Sequence, residues 1–303
     1  MAFGHIGHEK NFIYINEKVL MDVQSVDYSV STNRTVLNMA GVTDLLQVSE
    51  GVSQATLNLQ RYAITNTEDD PFAGGIYGPD LFLNGFSGVW QHQDSEGENN
   101  FFAMEQAYVS NYTFSAEVDA VPSISMGIVA YGSGIGQTDI PTGYMTGAPA
   151  IDYTNVYVYP KLMELVFPEI DTLTDITKTN LVTSFELSFT MNREVRNRIG
   201  QQKKMPETFL AYPIEATLTL VLDVNDYTTP AISNLLCEYP GTIELLMKNC
   251  DGSNIRGFKF TKGILQSASM EAVTLDINRA TLEYTKSITN DAEFGFWIDE
   301  RTL

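Results

Sequence analysis

The chain has 303 residues, 44 % hydrophobic and 11 % aromatic, enough apolar material for two ordinary domains with their own cores; this excludes wholesale disorder. Its 18 basic and 38 acidic residues give a formal net charge of −20, which excludes binding nucleic acid through its phosphates, because that needs clustered Lys and Arg. No apolar run reaches the ~20 residues of a bilayer span, and Met1 to Lys10 lacks the apolar core of a signal peptide, so a soluble chain made in the cytosol is expected.

In chain order, a strand is expected at Phe12 to Asn16. Next, Val26, Tyr28 and Val30 alternate with Asp27, Ser29 and Ser31, the period of a strand with one face on a core and one polar face. Asp44 to Gly51 is a candidate helix, and Leu57 and Leu59 resume the strand period. Strands follow at Tyr112 to Val118 and Ile124 to Val129. The Gly-, Pro- and Thr-rich stretch from Gly132 to Ala150 then punctuates the chain. Val156 to Phe167 reads as a strand, and Phe185, Leu187 and Phe189 alternate with Glu186, Ser188 and Thr190. Leu218, Leu220 and Leu222 do the same. Thr229 to Gly241 carries a capping Thr, Pro230 in the first turn and a Pro-Gly stop, so one short helix is expected there. Strands at Ile243 to Met247, Arg256 to Phe260 and Thr281 to Thr285 complete the series.

These elements repeat. Val23-Gln-Ser-Val-Asp-Tyr-Ser-Val-Ser-Thr-Asn-Arg34 aligns without a gap on Val182-Thr-Ser-Phe-Glu-Leu-Ser-Phe-Thr-Met-Asn-Arg193, with five of twelve positions identical and Asp27 meeting Glu186. Ala55-Thr-Leu-Asn-Leu59 meets Ala216-Thr-Leu-Thr-Leu220, and Val109 to Met126 meets Leu265 to Leu282. Three blocks in the same order point to an internal duplication. The expected fold is mainly β: two tandem related antiparallel β-sandwich or barrel units, with one short helix in the second. The units are residues 1–135 and 153–303, joined by a Gly/Pro-rich linker at 136–152.

The residues of catalysis do not converge on a pattern. His5 and His8 lack a third metal ligand at a recognisable spacing, and Cys237 and Cys250 are thirteen apart without a neighbouring His, reading as two free thiols rather than a disulfide framework. Tyr131-Gly-Ser-Gly-Ile-Gly136 is followed by Gln137-Thr-Asp-Ile-Pro141, which does not open a helix, so it reads as linker and not as a dinucleotide loop. Asn33-Arg-Thr and Asn111-Tyr-Thr match a glycosylation pattern by chance in a cytosolic chain. The carboxylates of Asp27, Glu117, Glu186 and Glu271 fall on the solvent phase of their strands and decorate a surface rather than a pocket. No catalytic, cofactor or metal site is expected, and the chain is not expected to be an enzyme.

Charge is divided unevenly: residues 1–150 hold 4 basic and 17 acidic residues, and residues 151–303 hold 14 and 21. The second unit has a basic cluster, Arg193, Arg196, Arg198, Lys203 and Lys204, where the first has the nearly uncharged Thr35 to Thr43. A solvated hairpin loop is one reading of it; docking on an acidic loop of a neighbouring subunit, such as Glu68, Asp69 and Asp70, is the other.

A strand reading Val-x-Ser-apolar-acidic-apolar-Ser, leading through Asn-Arg to a Gly-bearing loop and returning as Ala-Thr-Leu-x-Leu, resembles the paired inner strands of tail tube proteins of long-tailed bacteriophages. Ala107 to Met126 is similar to segments common in phage tail proteins. The resemblance covers most of both halves as a pattern of strands and loops. It implies a virion protein, made in the host cytoplasm, whose β folds assemble into stacked rings with the inner strands lining a lumen. Six such folds make a ring, so three chains of two folds would form a trimeric pseudo-hexamer. The implied partners are the chain itself, other tail, baseplate or neck proteins, and DNA passing without specific binding; no membrane is implied. Asp27 and Glu186 are the lumen-facing candidates, their acidity repelling the DNA backbone during ejection. The alternatives are a baseplate hub or distal tail protein, and a carbohydrate- or receptor-binding β module using an aromatic patch at Trp90, Tyr77, Phe82 and Phe86.

Overall fold

The computed structural model describes residues 11–16, 18–20, 23–37, 46–63, 80–93, 99–131, 162–166, 181–196, 207–224, 242–248, 254–271 and 278–295. The strands of the first half are β1 (Asn11–Ile15), β2 (Lys18–Leu20), β3 (Val23–Leu37), β4 (Leu46–Tyr62), β5 (Phe86–Gln93), β6 (Asn99–Glu117) and β7 (Ser123–Tyr131), with the short helix α1 (Asp80–Leu83) before β5. The second half supplies β8 (Leu162–Val166), β9 (Leu181–Thr190), β10 (Arg193–Arg196), β11 (Glu207–Leu210), β12 (Ile214–Val224), β13 (Thr242–Lys248), β14 (Asn254–Thr261), β15 (Ile264–Glu271) and β16 (Asn278–Ile288). A 3-10 turn at Asp291–Glu293 follows. The protein is mainly β and antiparallel. Alternation sets the strands: on β12, Ile214, Ala216, Leu218, Leu220 and Leu222 are buried while Glu215, Thr217, Thr219 and Asp223 face away from the core.

Eight strands form one continuous sheet in the order β3-β4-β7-β6-β9-β12-β16-β15. This is the same four-strand series twice, and the equivalence holds at the level of register. Tyr28 pairs with Leu57 as Leu187 pairs with Leu218. Ala55 pairs with Ala130 as Ala216 pairs with Lys286, and Tyr112 with Met126 as Ala268 with Leu282. The irregularities repeat too: Gln24 and Thr183 stand at matching bulges, as do Ser110 and Gln266. The hairpin arms also match, β3–β4 ending on the pair Leu37 and Leu46, β10–β11 on Arg196 and Glu207.

Each series carries a second layer. In the first half β5 pairs with the beginning of β6 and with β1; in the second, β13 pairs with β14 and with β8. One strand, β6, therefore passes between both layers, where the second half uses two strands broken at Lys262 and Gly263, with Lys262 at φ 58°. Phe114 of β6, Phe185 of β9 and Phe258 of β14 meet with centroids 4.5–5.6 Å apart, so side chains of both halves fill one core. Lys286, almost wholly buried, donates from Nζ to Thr261 Oγ1 and to the Glu293 carbonyl; burial lowers its pKa, against the raising effect of Glu293.

Two expectations about helices change. Leu46 to Gly51 is strand, not helix, because it continues β4 along β3, with Glu50 opposite Arg34 and Leu46 opposite Leu37; cross-strand pairing overrides the local pattern. The described α-helix lies in the first half, at Asp80–Leu83, while the helix expected at 229–241 lies outside the described residues, as does the linker at 136–152.

Candidate functional site

The polar face of the eight-strand sheet is the chain's most distinctive surface. It is lined by Ser, Thr, Asn and Gln, and among the described side chains it carries Asp27, Glu117, Glu186, Glu215, Asp223, Glu271 and Glu283 against the single cation Arg279. Arg279 Nε lies 3.5 Å from Asp223 Oδ1, so its charge is already shared. Asp27 and Glu186 hold equivalent positions on β3 and β9, both exposed on this face, four strands apart and staggered by four residues, since the row through Asp27 reaches β9 at Thr190. A shallow groove of about 380 Å³ crosses the face where β6 meets β9, between Ser115, Glu117, Ser184, Glu186 and Thr219. Within it, Ser115 Oγ and Ser123 Oγ share a 2.9 Å hydrogen bond. Among the described residues no three His, Cys, Asp or Glu side chains converge to hold a metal ion.

The junction of the two series is β6 against β9, with Asn111 opposite Thr190, Thr113 opposite Ser188 and Ser115 opposite Glu186. Beneath it, Phe82 of α1 closes over Tyr112 and Phe189 at centroid distances of 5.3 and 5.5 Å, with Phe294 at 5.7 Å. The sheet does not close on itself among the described residues: β3 pairs only with β4, and β15 only with β16. These ends are the counterparts of β9 and β6, the two strands that meet inside the chain.

Burial follows from that difference. Leu187 and Phe189 are 1 % and 3 % exposed, whereas their equivalents Tyr28 and Val30 are 52 % and 49 % exposed. The sequence alternation places Tyr28 and Val30 on a core; the structure corrects this, since among the described residues no strand beyond β3 covers them, and Tyr28 leans on Trp90 and Phe102 at 5.0 and 4.9 Å. At the other end Ile264 is 47 % exposed where its equivalent Tyr108 is 6 %.

The basic hairpin divides. Arg193 is occupied within the chain: one guanidinium nitrogen donates to the carbonyls of Phe82 at 2.7 Å and Leu83 at 3.1 Å, at the C-terminal end of α1, and the group lies 4.3 Å from the Tyr108 ring centre. Burial lowers its pKa, opposed by Tyr108, Tyr131 and Tyr212. Arg196 is exposed, 3.1 Å from Glu194 and over the exposed Phe209 ring. Arg198, Lys203, Lys204, Glu68, Asp69 and Asp70 lie outside the described residues, with His5, His8, Cys237 and Cys250.

The aromatic set considered for a carbohydrate site does not form an exposed patch: Phe82 and Phe86 are buried, Trp90 is half-buried against His92 and Tyr28, and Tyr77 lies outside the described residues. Neither a protein-family model nor a curated protein matches this chain.

Proposed function

We propose that the chain is a structural virion protein whose copies join edge to edge into the stacked rings of a phage tail tube, with the acidic face lining a lumen through which DNA slides. One observation carries the reading: two equivalent four-strand series lie head to tail in a single sheet, and its two edges, unpaired among the described residues, are the counterparts of the edges already joined inside the chain. An exposed sheet edge with apolar residues beside it templates further pairing, and ring closure removes such edges.

Magnitudes favour three chains. Strands about 4.8 Å apart give a 24-strand wall a backbone diameter of about 37 Å when parallel to the axis and about 48 Å at a 40° tilt. After about 5 Å of side chain on each side, about 27–38 Å remains, which passes a double helix about 20 Å wide. Two chains would leave about 14–22 Å by the same estimate, which admits the duplex at the steepest tilt alone. A wall with seven described carboxylates against one guanidinium repels phosphate and gives DNA no place to stick.

Negative-stain electron microscopy and native mass spectrometry of the purified full chain test the reading. Stacked annuli built from three chains, with a central channel, are expected. Compact monomers at every concentration and ionic strength would overturn it.

A further inference from the structure

We propose that the seam between chains copies the internal β6–β9 seam residue for residue, with β15 of one copy against β3 of the next, and that it places Asp27 opposite Glu271. The proposal rests on the self-assembly part of the reading above and adds a register and a control of closure to it.

The template is the chain itself. Ser267, Ser269 and Glu271 of β15 are the equivalents of Asn111, Thr113 and Ser115 of β6, because each pairs with the matching position of β16 or β7 past the same bulge. Ser31, Ser29 and Asp27 of β3 are likewise the equivalents of Thr190, Ser188 and Glu186 of β9. Transferring the internal register sets Ser267 against Ser31, Ser269 against Ser29, and Glu271 against Asp27. On the other face it brings Ala268 to Val30, covering a residue that the isolated chain leaves 49 % exposed. A one-residue slip would turn these apolar side chains to the wet face, so the register is selected by burial.

The two seams then differ in one respect. Inside the chain Glu186 faces the neutral Ser115, while between chains Asp27 faces Glu271. Asp27 has the neutral Asn58 on its β4 side. Glu271 has Arg279 on its β16 side, and Arg279 is already beside Asp223. Closing the seam therefore gathers three carboxylates around one guanidinium, and like charges directly opposite on a sheet oppose pairing. The inter-chain seam is built to be weaker than the internal one by an electrostatic margin that salt screens.

The test is disulfide trapping in the full chain with Cys237→Ser and Cys250→Ser. Ser29→Cys with Ser269→Cys should give, on mild oxidation, a ladder of covalent oligomers ending in a closed ring. Ser31→Cys with Ser269→Cys, offset by two residues and roughly 7–8 Å apart, should be trapped at least about tenfold less. All three serines are exposed, so the variants should fold. In parallel, Glu271→Gln should lower the concentration for half-assembly roughly fivefold at low ionic strength and have little effect at high salt, while Glu215→Gln, away from the seam, should not. Absence of the Ser29–Ser269 product in assembling protein, or equal trapping of the offset pair, overturns the register. No difference between Glu271→Gln and Glu215→Gln overturns the charge control. Stacked rings without the trapped product would leave the tube reading standing and remove this seam; a trapped ladder that never stacks would do the reverse.

Discussion

A guanidinium nitrogen of Arg193, in the second half of the chain, donates to the carbonyl oxygen of Phe82, in the first, at 2.7 Å. The same nitrogen reaches the Leu83 carbonyl, so one side chain satisfies two acceptors at the end of α1 and fixes that helix over the β6–β9 junction. Arg193→Ala should cost about 2–3 kcal/mol, since it leaves part-buried carbonyls without a charged donor. Arg193→Lys should recover little, because an ammonium lacks the planar fork and its stacking on Tyr108. Urea unfolding midpoints of the three proteins measure both; a lysine variant as stable as the parent would contradict the assignment.

Phe82 is the other half of that clamp. Fully buried among Tyr112, Phe189 and Phe294, it closes the apolar side of the junction. Phe82→Ala should destabilise the chain by about 3–5 kcal/mol. Phe82→Leu should lose less than half of that, because much of the volume is kept. Thermal unfolding followed by near-ultraviolet circular dichroism, which sees this aromatic cluster directly, is the appropriate readout.

Gly263 permits the turn that separates β14 from β15. A Cβ there would lie 2.5 Å from Cε1 and 2.8 Å from Cδ1 of Phe260, a buried ring without room to retreat. Gly263→Ala should therefore cost about 1–3 kcal/mol by overpacking. Gly295, whose added Cβ would meet nothing within 4 Å, serves as the control, and Gly295→Ala should leave the melting temperature unchanged.

Acid should loosen the C-terminal 3-10 turn before the sheets. Glu293 Oε2 accepts from the backbone N–H and the hydroxyl of Thr289, both at 2.9 Å; the backbone bond first and then the hydroxyl bond hold its pKa below the usual carboxylate value. A carboxylate with a lowered folded-state pKa contributes stability that is complete above its unfolded value and is lost as pH falls through the folded one. Glu293→Gln should flatten that acid limb. Amide exchange at Thr289 and Ala292, compared between pH 6 and pH 3 for both proteins, reports it. Equal pH dependence in the two would refute the role.

At the alkaline end the neighbouring Tyr212 phenol donates to Asp291, and burial together with that carboxylate pushes its pKa up to about 12. Ultraviolet titration should show it ionising about two units above an ordinary tyrosine, and Asp291→Asn should bring it down.

The duplication was legible because side chains repeat with strand period: Ser25, Ser29 and Asn33 recur as Ser184, Ser188 and Asn192, and the pairing partners of these strands recur as well. The polar phase of Asp27, Glu186, Glu117 and Glu271 was also plain from alternation. What alternation cannot carry is neighbourhood. Val30 and Phe189 read alike, yet one lies at a sheet edge and the other under Phe82, and only tertiary pairing separates them. Leu46 to Gly51, within a pattern suited to a helix, is strand for the same reason, since that pattern says nothing of the strand lying beside it. The helix at Asp80–Leu83 is four residues long, too short to leave a periodic trace.

The matching bulges at Ser110 and Gln266 act as counting marks. Each resets which side chains point inward, and from the residue after the bulge to the partner of the last paired residue, Asn111 to Ser123 and Ser267 to Arg279, the chain length is the same. Substitution at these rows changes one contact, but loss or gain of a single residue would exchange the wet and dry faces of everything downstream to the turn. Over this stretch the two halves differ in residue identity, as Gly127 against Glu283 shows, while the spacing is the same. Between each bulge and its partner strand, length rather than composition is what the two halves share.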